Sequence, residues 1–351
     1  MFEPITIKDI AKALGLSTST VSRALRGGYE ISADTKKLVL EYAEKINYHP
    51  NPIALSLKER RSHSIGVVVC EVANNYFSQA INGIESIAYN RGYHVIITQT
   101  HESFDREVVN VQHMASRSVD GLLISLSSET KDLSHIKYLH EKGLPIVFFD
   151  RVAADIDTHK VVANNYQGAF DATEHLIQSG FRKIGHLTSS PTLSITKERL
   201  EGYKAALAKY DIPFKLDYLK HCEHGGMIQT EVESAVRELI TLADRPESIF
   251  IAGDKLSTGC LTTIKKYGLK VPADISIAGF TNSDVAELFN PALTAVRQPA
   301  FKIGQIATEM LIQLIESKYP VTEFVTTMLD TELDIRESSA YTPAAKYTFS
   351  G

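Results

Sequence analysis

The chain has 351 residues, which is long for one hydrophobic core and predicts two or three domains. Its apolar fraction of 44% and charged fraction of 23% are ordinary for folded proteins and exclude a largely disordered chain. The net charge of −5 argues against a general attraction to nucleic acids or anionic membranes. Residues 1–63 differ, because they hold ten Lys and Arg against seven Asp and Glu, so a polyanion partner is expected at this end.

Targeting and cysteine patterns point to the cytoplasm. The sequence starts without a basic and apolar leader, and it has no run of about 18 apolar residues. Its cysteines, Cys70, Cys222 and Cys260, are far apart and outside any C-x-x-C pattern. They are expected to be reduced thiols rather than a disulfide framework or a zinc site.

Residues 5–47 predict three short helices. In the first, apolar residues recur at helical spacing and form one stripe: Ile7, Ile10, Ala11 and Leu14. Gly15 permits the tight turn that follows, and Ser17 or Thr18 can cap the second helix. Ser32 can cap the third, whose predicted inward face is Leu38, Val39, Tyr42, Ala43 and Ile46.

The second helix has two chemically different faces. Within LGLSTSTVSRALRGG, residues 14–28, one face is apolar through Val21, Ala24 and Leu25. The other carries hydroxyls and arginines but no acid: Thr18, Ser19, Ser22, Arg23 and Arg26. Two helices joined by a glycine turn suit the major groove of DNA, where such side chains can bond base edges and phosphates. The alternative is a surface helix without a partner, and the net basic segment favours DNA.

Residues 48–64, YHPNPIALSLKERRSHS, predict a linker that contains a short helix, since prolines end the preceding helix and Pro52 suits a first turn. This segment is either a solvated connector rich in Lys58, Arg60 and Arg61 or a helix in the minor groove. In the second case Leu57 would wedge between base steps while basic residues hold phosphates. The chemistry alone leaves both alternatives open.

From Ser64 onward, short apolar runs alternate with helical stretches. The runs are SIGVVVC, HVIITQ, GLLISL, PIVFFD, KIGHLT, SIFIAG and ISIAGF. This alternation predicts two doubly wound parallel sheets, the first ending near Ala163 and the second spanning about 164–291. A cleft at the C-terminal ends of the strands is the expected ligand site.

Longer motifs occur in a fixed order over about residues 5–339. They begin with ITIKDIAKALGLSTSTVSRALRG and ISADTKKLVLEYAEKINYHPNPIALSLKERRSHSIGVVV, and continue through VDGLLI, IVFFDR, EHLIQSGFRKIGHL, RLEGYKAAL, GLKVPADISIAGF, NPALTAVRQP and LDTELDIRESS. In this order they resemble the lactose repressor and galactose repressor family of bacterial transcriptional regulators.

The resemblance implies an all-α helix-turn-helix head followed by a two-lobed α/β domain like the periplasmic binding proteins. It implies a cytoplasmic repressor, a homodimer or tetramer, that binds a near-palindromic operator. A small effector, a sugar or sugar derivative, would bind between the lobes, without a cofactor or metal. The expected division is a head at 1–48, a hinge at 49–63, a first lobe at 64–163 and 292–322, a second lobe at 164–291 and 323–339, and a loose tail at 340–351.

The family's functional residues carry over to matching positions of this chain. The DNA contacts that the resemblance implies are base contacts at Thr18, Ser19 and Arg23, phosphate contacts at Thr20, Ser22 and Lys58, and a minor-groove wedge at Leu57. The last assignment favours a hinge helix in the linker. The implied effector-binding residues are Tyr76, Phe77, Asn164, Arg199, Asp254 and Thr281.

Alternatives and departures accompany these assignments. Phe77 can equally be a core residue, and Arg199 an ion-paired helix residue. Thr281 of GFTN replaces the acid that commonly holds sugar hydroxyls in relatives, although a hydroxyl can still bond a sugar. Leu193 stands where some purine-responsive relatives have a second arginine, which disfavours a purine effector.

An enzyme and a periplasmic solute-binding protein are the rival functions, because a doubly wound fold does not decide function. The nucleotide-binding motifs, the G-x-S-x-G elbow and the H-E-x-x-H zinc motif are absent, which disfavours an enzyme. HCEHGG, residues 221–226, is expected to be a loop rather than a metal site, because its potential ligands lack a distant partner. A helix-turn-helix stands where a solute-binding protein would have its signal peptide.

Overall fold

The computed structural model describes residues 5–26, 30–48 and 61–340. Hinge residues 49–60 and tail residues 341–351 lie outside them. The described residues form two compact units, one before Ser64 and one from Ser64 onward. All three cysteines are free and buried. No helix in the described ranges is long and apolar enough to cross a membrane.

In its described residues, the first unit contains three helices packed on a small core. They are α1 (Ile7–Leu14), α2 (Thr18–Leu25) and α3 (Ala33–Lys45). Gly15 ends α1 with a positive φ of 65°, a conformation that glycine adopts without strain. The buried core residues are Ile10, Ala11, Val21, Ala24, Val39 and Ala43.

One predicted inward residue of α3 is wrong, because Leu38 is 48% exposed. Val39 and Ala43 are buried instead, four residues apart and therefore on the same side of the helix. Leu38 is one position, or about 100°, away from Val39. The predicted stripe was therefore too wide on that side.

The second unit contains two six-stranded sheets, as the alternation of strands and helices predicted. The strands are β1 (Ser64–Val69), β2 (His94–Gln99), β3 (Gly121–Ile124), β4 (Ile146–Phe149), β5 (Lys160–Ala163), β6 (Ile184–Thr188), β7 (Leu219–His221), β8 (Ser248–Ile251), β9 (Ser276–Phe280), β10 (Thr294–Arg297), β11 (Thr326–Leu329) and β12 (Glu332–Asp334). The first sheet has the order β11-β5-β4-β3-β1-β2 and is parallel throughout. The second has the order β12-β10-β9-β8-β6-β7 and is parallel except for β12, which pairs with β10 in antiparallel fashion.

Helices cover both faces of each sheet, which explains the continuous apolar runs of the strands. They are α4 (Asn75–Asn90), α5 (Phe104–Ser116), α6 (Ser134–Glu141), α7 (Asn165–Gln178), α8 (Ser194–Lys209), α9 (Gln229–Ile240), α10 (Asp254–Lys266) and α11 (Ala300–Glu316). On the first sheet, α4 and α11 share a core with one face and α5 and α6 with the other. On the second sheet, α7 and α8 cover one face and α9 and α10 the other.

Two late strands lie in the lobe opposite to the expected one. β10, expected in the first lobe, pairs with β9 of the second sheet. β11, expected in the second lobe, pairs with β5 of the first sheet. The chain therefore passes between the sheets three times, after β5, after β10 and after β11. A short apolar strand does not specify its sheet, because the choice depends on hydrogen bonding to residues that are distant in sequence.

Candidate functional site

The second helix of the first unit presents the predicted polar face to solvent. Ser17 caps α2, because its Oγ accepts a hydrogen bond from the backbone N of Thr20 at 3.0 Å. Val21 and Ala24 are fully buried against the other helices. This packing leaves the side chains of Thr18, Ser19 and Arg23 exposed. The structure therefore places the three predicted base-reading residues on one accessible surface.

The predicted phosphate contacts, Thr20 and Ser22, are partly engaged within their own helix. The Thr20 Oγ1 lies 2.8 Å from the Ser17 Oγ. The guanidinium of Arg26 folds back on the same helix, where its Nε donates to the Ser22 carbonyl at 3.0 Å and its Nη2 to the Ser22 hydroxyl. An open depression of 400 Å³ marks this surface, which we call the recognition surface; it is lined by Ile7, Thr18, Ser19, Ser22, Arg23 and Arg26.

A carboxylate that the sequence interpretation missed contacts this surface. The Nη1 of Arg23 forms an ion pair with the Oε2 of Glu30 at 3.0 Å. The prediction that this face carries no acid considered only the residues of α2, and Glu30 lies beyond the end of that helix. A spacing of seven residues from Arg23 is no signal for an ion pair, because Glu30 lies outside α2 and the helical period does not relate the two positions. The predicted wedge Leu57 and phosphate contact Lys58 lie outside the described residues.

In the second unit, residues that follow strands of the two sheets contact one another, at the carboxyl ends of the strands where parallel α/β sheets favour a ligand cleft. Hydrogen bonds join the two lobes across it. The Nδ2 of Asn282 in the second lobe donates to the Oε1 of Gln79 in the first at 2.8 Å, and the Gln79 Nε2 donates to the Asn282 backbone carbonyl at 3.1 Å. The Glu71 carboxylate and the Lys255 ammonium form an ion pair of 2.9 Å. The cleft is therefore closed by polar contacts in this structure.

Asp254 and Thr281, both expected at the effector site, contact each other. The Thr281 hydroxyl donates to the Asp254 Oδ1. The other carboxylate oxygen accepts from the backbone N and side-chain Nδ2 of Asn75, each at 3.4 Å. Thr281 is only 2% exposed. Asp254 is therefore held by both lobes, and Thr281 stands where it can orient the carboxylate.

Arg199 is buried in the second lobe, with its guanidinium fixed on three sides. Its Nε and Nη2 donate to the Asn165 Oδ1 at 2.9 and 2.7 Å, and its Nη1 donates to the Ala252 carbonyl at 3.0 Å. Its Cζ lies 3.8 Å from the centre of the Phe280 ring, a cation–π contact. Burial lowers the pKa of Arg199 to about 10, so it stays charged near neutral pH.

The structure brings Asn165, rather than Asn164, to Arg199. The Asn164 side chain caps α7 by accepting from the Gln167 backbone N at 3.2 Å, and its Nδ2 donates to Asp330 at 3.2 Å. Asn164 therefore caps α7 and contacts Asp330, which lies between β11 and β12 where the chain passes from the first sheet to the second. The neighbouring Asn165, and not the Asn164 that the resemblance implies as an effector contact, bonds the guanidinium of Arg199.

Tyr76 and Phe77 are both buried at the cleft end of the first lobe. Phe77 packs edge-on against Phe149, with ring centres 6.5 Å apart, and belongs to the core. The Tyr76 hydroxyl is buried without a hydrogen-bond partner among the described residues. Burial raises the pKa of Tyr76 well above its usual range, and the neighbouring charges of Asp150 and Arg199 also act on it. Tyr76 is therefore the polar member of the predicted aromatic pair.

Asp150 is a cleft residue that the sequence interpretation missed. It follows β4, it is 6% exposed, and its φ of 61° lies in a region that non-glycine residues rarely adopt. Its carboxylate accepts from the Ser125 hydroxyl at 3.4 Å. Burial raises the pKa of Asp150, and the charges of Arg151 and Arg199 oppose that effect. An acid directly after a buried strand in IVFFDR was the signal available in the sequence.

Beside Asp150, Arg151 forms a buried ion pair. Its Nη1 lies 2.9 and 2.7 Å from the two carboxylate oxygens of Glu102 and 3.0 Å from the Cys70 sulfur. Burial raises the pKa of Glu102, but the Arg151 charge and hydrogen bonds more than offset this and leave it lowered. A buried pair of this kind fixes the loops that follow β2 and β4.

The end of β7 and the loop after it carry the residues considered as a metal cluster. The His221 Nδ1 lies 2.8 Å from the Ser189 carbonyl oxygen, and the His224 Nδ1 lies 3.5 Å from the Glu231 carboxylate. Within the described ranges, no group of three or more His, Cys, Asp or Glu side chains is arranged to hold a metal ion.

Comparisons with known proteins agree with this arrangement. The model for bacterial regulatory proteins of the lacI family matches residues 6–51, and the model for a periplasmic binding protein-like domain matches residues 173–339. The chain is 33% identical over 316 residues to the HTH-type transcriptional repressor PurR of Photobacterium profundum, a match that covers 89% of this chain and 92% of that protein.

Solved structures give the same result. The complex of the transcriptional regulator CelR with cellobiose is 26% identical, with a TM-score of 0.71 over 95% of this chain and 99% of that one. The lac repressor dimer bound to operator and the anti-inducer ONPF has the same fold, with a TM-score of 0.81 over 97% of this chain and 100% of that one, at 24% identity. The resemblance and fold predicted from the sequence are confirmed. The chain belongs to the lacI family of bacterial regulatory proteins, as a DNA-binding transcriptional repressor and not as an enzyme.

Proposed function

We propose that this chain is a cytoplasmic homodimeric repressor that binds a near-palindromic operator and releases or retains it in response to a small polyhydroxylated effector. The observation that carries the proposal is the pairing, in one chain, of an exposed recognition surface with a cleft that holds buried polar groups from two lobes. The exposed groups suit DNA and the buried groups suit a small ligand.

On the DNA side, Thr18, Ser19 and Arg23 read base edges. Arginine can donate two parallel bonds to guanine O6 and N7, each such pair contributing about 1–3 kcal/mol of discrimination. Thr20 and Ser22 contact phosphates, which fix the register of the helix but carry no sequence information. We assign Leu57 and Lys58, by the same family resemblance, to the minor groove and a phosphate.

On the effector side, Arg199 supplies the cation and Asp150 and Asp254 the carboxylates. Three of the five guanidinium N–H groups of Arg199 bond protein oxygens, so two are available to a ligand. The unpartnered Tyr76 hydroxyl adds a donor or acceptor. A ligand with neighbouring hydroxyls can accept from the arginine and donate to a carboxylate at the same time, which is the pattern of a sugar.

Other observations support a sugar or sugar derivative as the effector. The related CelR structure is a complex with cellobiose. Thr281 replaces an acid in this chain, but its hydroxyl contacts Asp254, so a carboxylate still stands at this part of the cleft. Coupling between the sites is reciprocal, so the effector changes DNA affinity by the factor by which DNA changes effector affinity.

The proposal is tested by selecting DNA from a randomised duplex library with the full-length protein and measuring its affinity for the selected duplex. The same duplex is then titrated in the presence of a panel of mono- and disaccharides and of purine bases. We expect a palindromic consensus and a change in affinity with one saccharide. A non-palindromic consensus would contradict the dimer, and a response to a purine alone would contradict the effector class.

A further inference from the structure

The ion pair between Arg23 and Glu30 places a negative charge beside the recognition surface, where a carboxylate lowers the affinity for DNA. Both side chains are about half exposed, at 57% and 53%. An exposed pair of this kind contributes little to folding stability. A carboxylate beside the recognition surface also repels the phosphates of bound DNA. Neither stability nor general affinity therefore accounts for Glu30.

The position of Glu30 is fixed by its neighbours in the chain. Ile31 packs against the core of the first unit, and Ser32 caps α3 by accepting from the Thr35 backbone N at 3.3 Å. Glu30 thus stands at the anchored start of α3, whereas Arg23 lies on α2. The pair joins the recognition helix to the segment that precedes α3 and restricts the guanidinium of Arg23.

The pair leaves Arg23 able to bond a base. Glu30 engages the Nη1 of Arg23, so the N–H groups on Nε and Nη2 remain for guanine O6 and N7. Arg26 on the same helix is used differently, because its guanidinium folds back onto Ser22. A free arginine at the position of Arg23 would bind phosphates in any sequence, and a neighbouring carboxylate opposes that mode.

We infer that Glu30 is a positioning residue for base readout: it holds the Arg23 guanidinium toward the base edges and away from phosphates, and so increases discrimination while lowering affinity for DNA in general. This inference rests on the proposed base contact of Arg23. It does not depend on the effector or on the hinge.

The test compares Arg23→Ala, Glu30→Gln and Glu41→Gln in the full-length chain. Glu41 is the matched control, since it forms an exposed pair with Lys37 on α3, at 3.9 Å, and its substitution removes the same charge. Each protein is titrated with the selected duplex, with duplexes in which single G·C pairs are replaced by A·T in both half-sites, and with an unrelated duplex, over a range of salt concentrations.

For Glu30→Gln we expect discrimination at the Arg23-dependent pair to fall about five-fold or more. Affinity for the unrelated duplex rises, and the slope of log affinity against log salt steepens by about one per subunit, because the released arginine reaches a phosphate. Glu41→Gln keeps the wild-type discrimination. If Arg23→Ala loses discrimination while Glu30→Gln keeps it, the inference is overturned and the base contact stands. If both variants keep it, the base contact itself is refuted, and the inference with it.

Discussion

Substitution of Arg199 by Met separates its structural role from its ligand-binding role. The guanidinium donates to the Asn165 Oδ1 and the Ala252 carbonyl, and it lies over the Phe280 ring. Methionine keeps an unbranched apolar side chain over the ring but removes the charge and the donors. We expect near-normal stability and DNA binding, together with loss of the effector response.

The magnitudes follow from the contacts. Burial lowers the pKa of Arg199 to about 10, which corresponds to about 3 kcal/mol of unfavourable free energy for holding the charge in this site. Removing the charge recovers that amount but leaves the Asn165 and Ala252 oxygens without a donor, at about 1–3 kcal/mol each. The two effects nearly cancel, so we expect the free energy of unfolding to stay within about 2 kcal/mol of wild type.

For the effector affinity of Arg199→Met, no gain offsets the lost contacts. Two remaining N–H groups of Arg199 can form charge-assisted bonds to the ligand, worth about 1.5 kcal/mol each at the lower end, so affinity should fall roughly 100-fold. Urea unfolding and calorimetric titration with the responding saccharide measure the two quantities. Arg182→Met is the control, because it removes an arginine whose Nη1 donates to the backbone carbonyls of Ile177 and Phe181, with no hydrogen bond to a predicted cleft residue among the described residues. Unchanged effector affinity, or destabilisation far beyond about 2 kcal/mol, would refute the reasoning.

Four further predictions follow from other parts of the chain. Arg23→Ala should lower operator affinity by about 1–3 kcal/mol and relax base preference at one half-site position, as measured by competition binding; an intact preference would remove Arg23 from the base-reading set. Leu57→Ala should reduce DNA bending in a circular-permutation gel assay, and equal bending would rule out the wedge. Gly304→Ala would place a Cβ 2.1 Å from the Ala80 carbonyl oxygen, where α11 crosses α4. Urea unfolding should therefore show a free energy of unfolding lower by about 1–3 kcal/mol, and wild-type stability would disprove the close crossing. Burial lowers the pKa of His186 to about 3, so the stability that its neutral form contributes is present above pH 6.5 and is lost as the pH falls toward 3. Between pH 7.5 and 5, the free energy of unfolding of wild type should therefore fall by about 2 kcal/mol more than that of His186→Gln. Equal losses in the two proteins would contradict the burial of this imidazole.

Much of the fold follows from local sequence patterns. Val21 and Ala24 face inward because the helical period puts them on one side, and Ser17 caps α2 because a serine there can bond a backbone amide of the first turn. The seven apolar runs form strands because they are short, β-branched and separated by helical segments. The exposed face of α2 follows from the helical period in the same way, whereas Asp254 and Thr281 were named separately as effector residues and their contact was not predicted.

Only the tertiary structure decided the pairing of strands and the side-chain contacts that depend on residues distant in sequence. β10 and β11 exchange lobes because strand pairing, and not local propensity, assigns a strand to its sheet. Asn165 reaches Arg199 while Asn164 caps a helix, since adjacent helix-start residues point in different directions. The sequence by itself therefore determined the helices, the strands and the two chemical surfaces. Which acid meets Arg23 depended on the three-dimensional course of the chain, because an ion pair is set by distance in space.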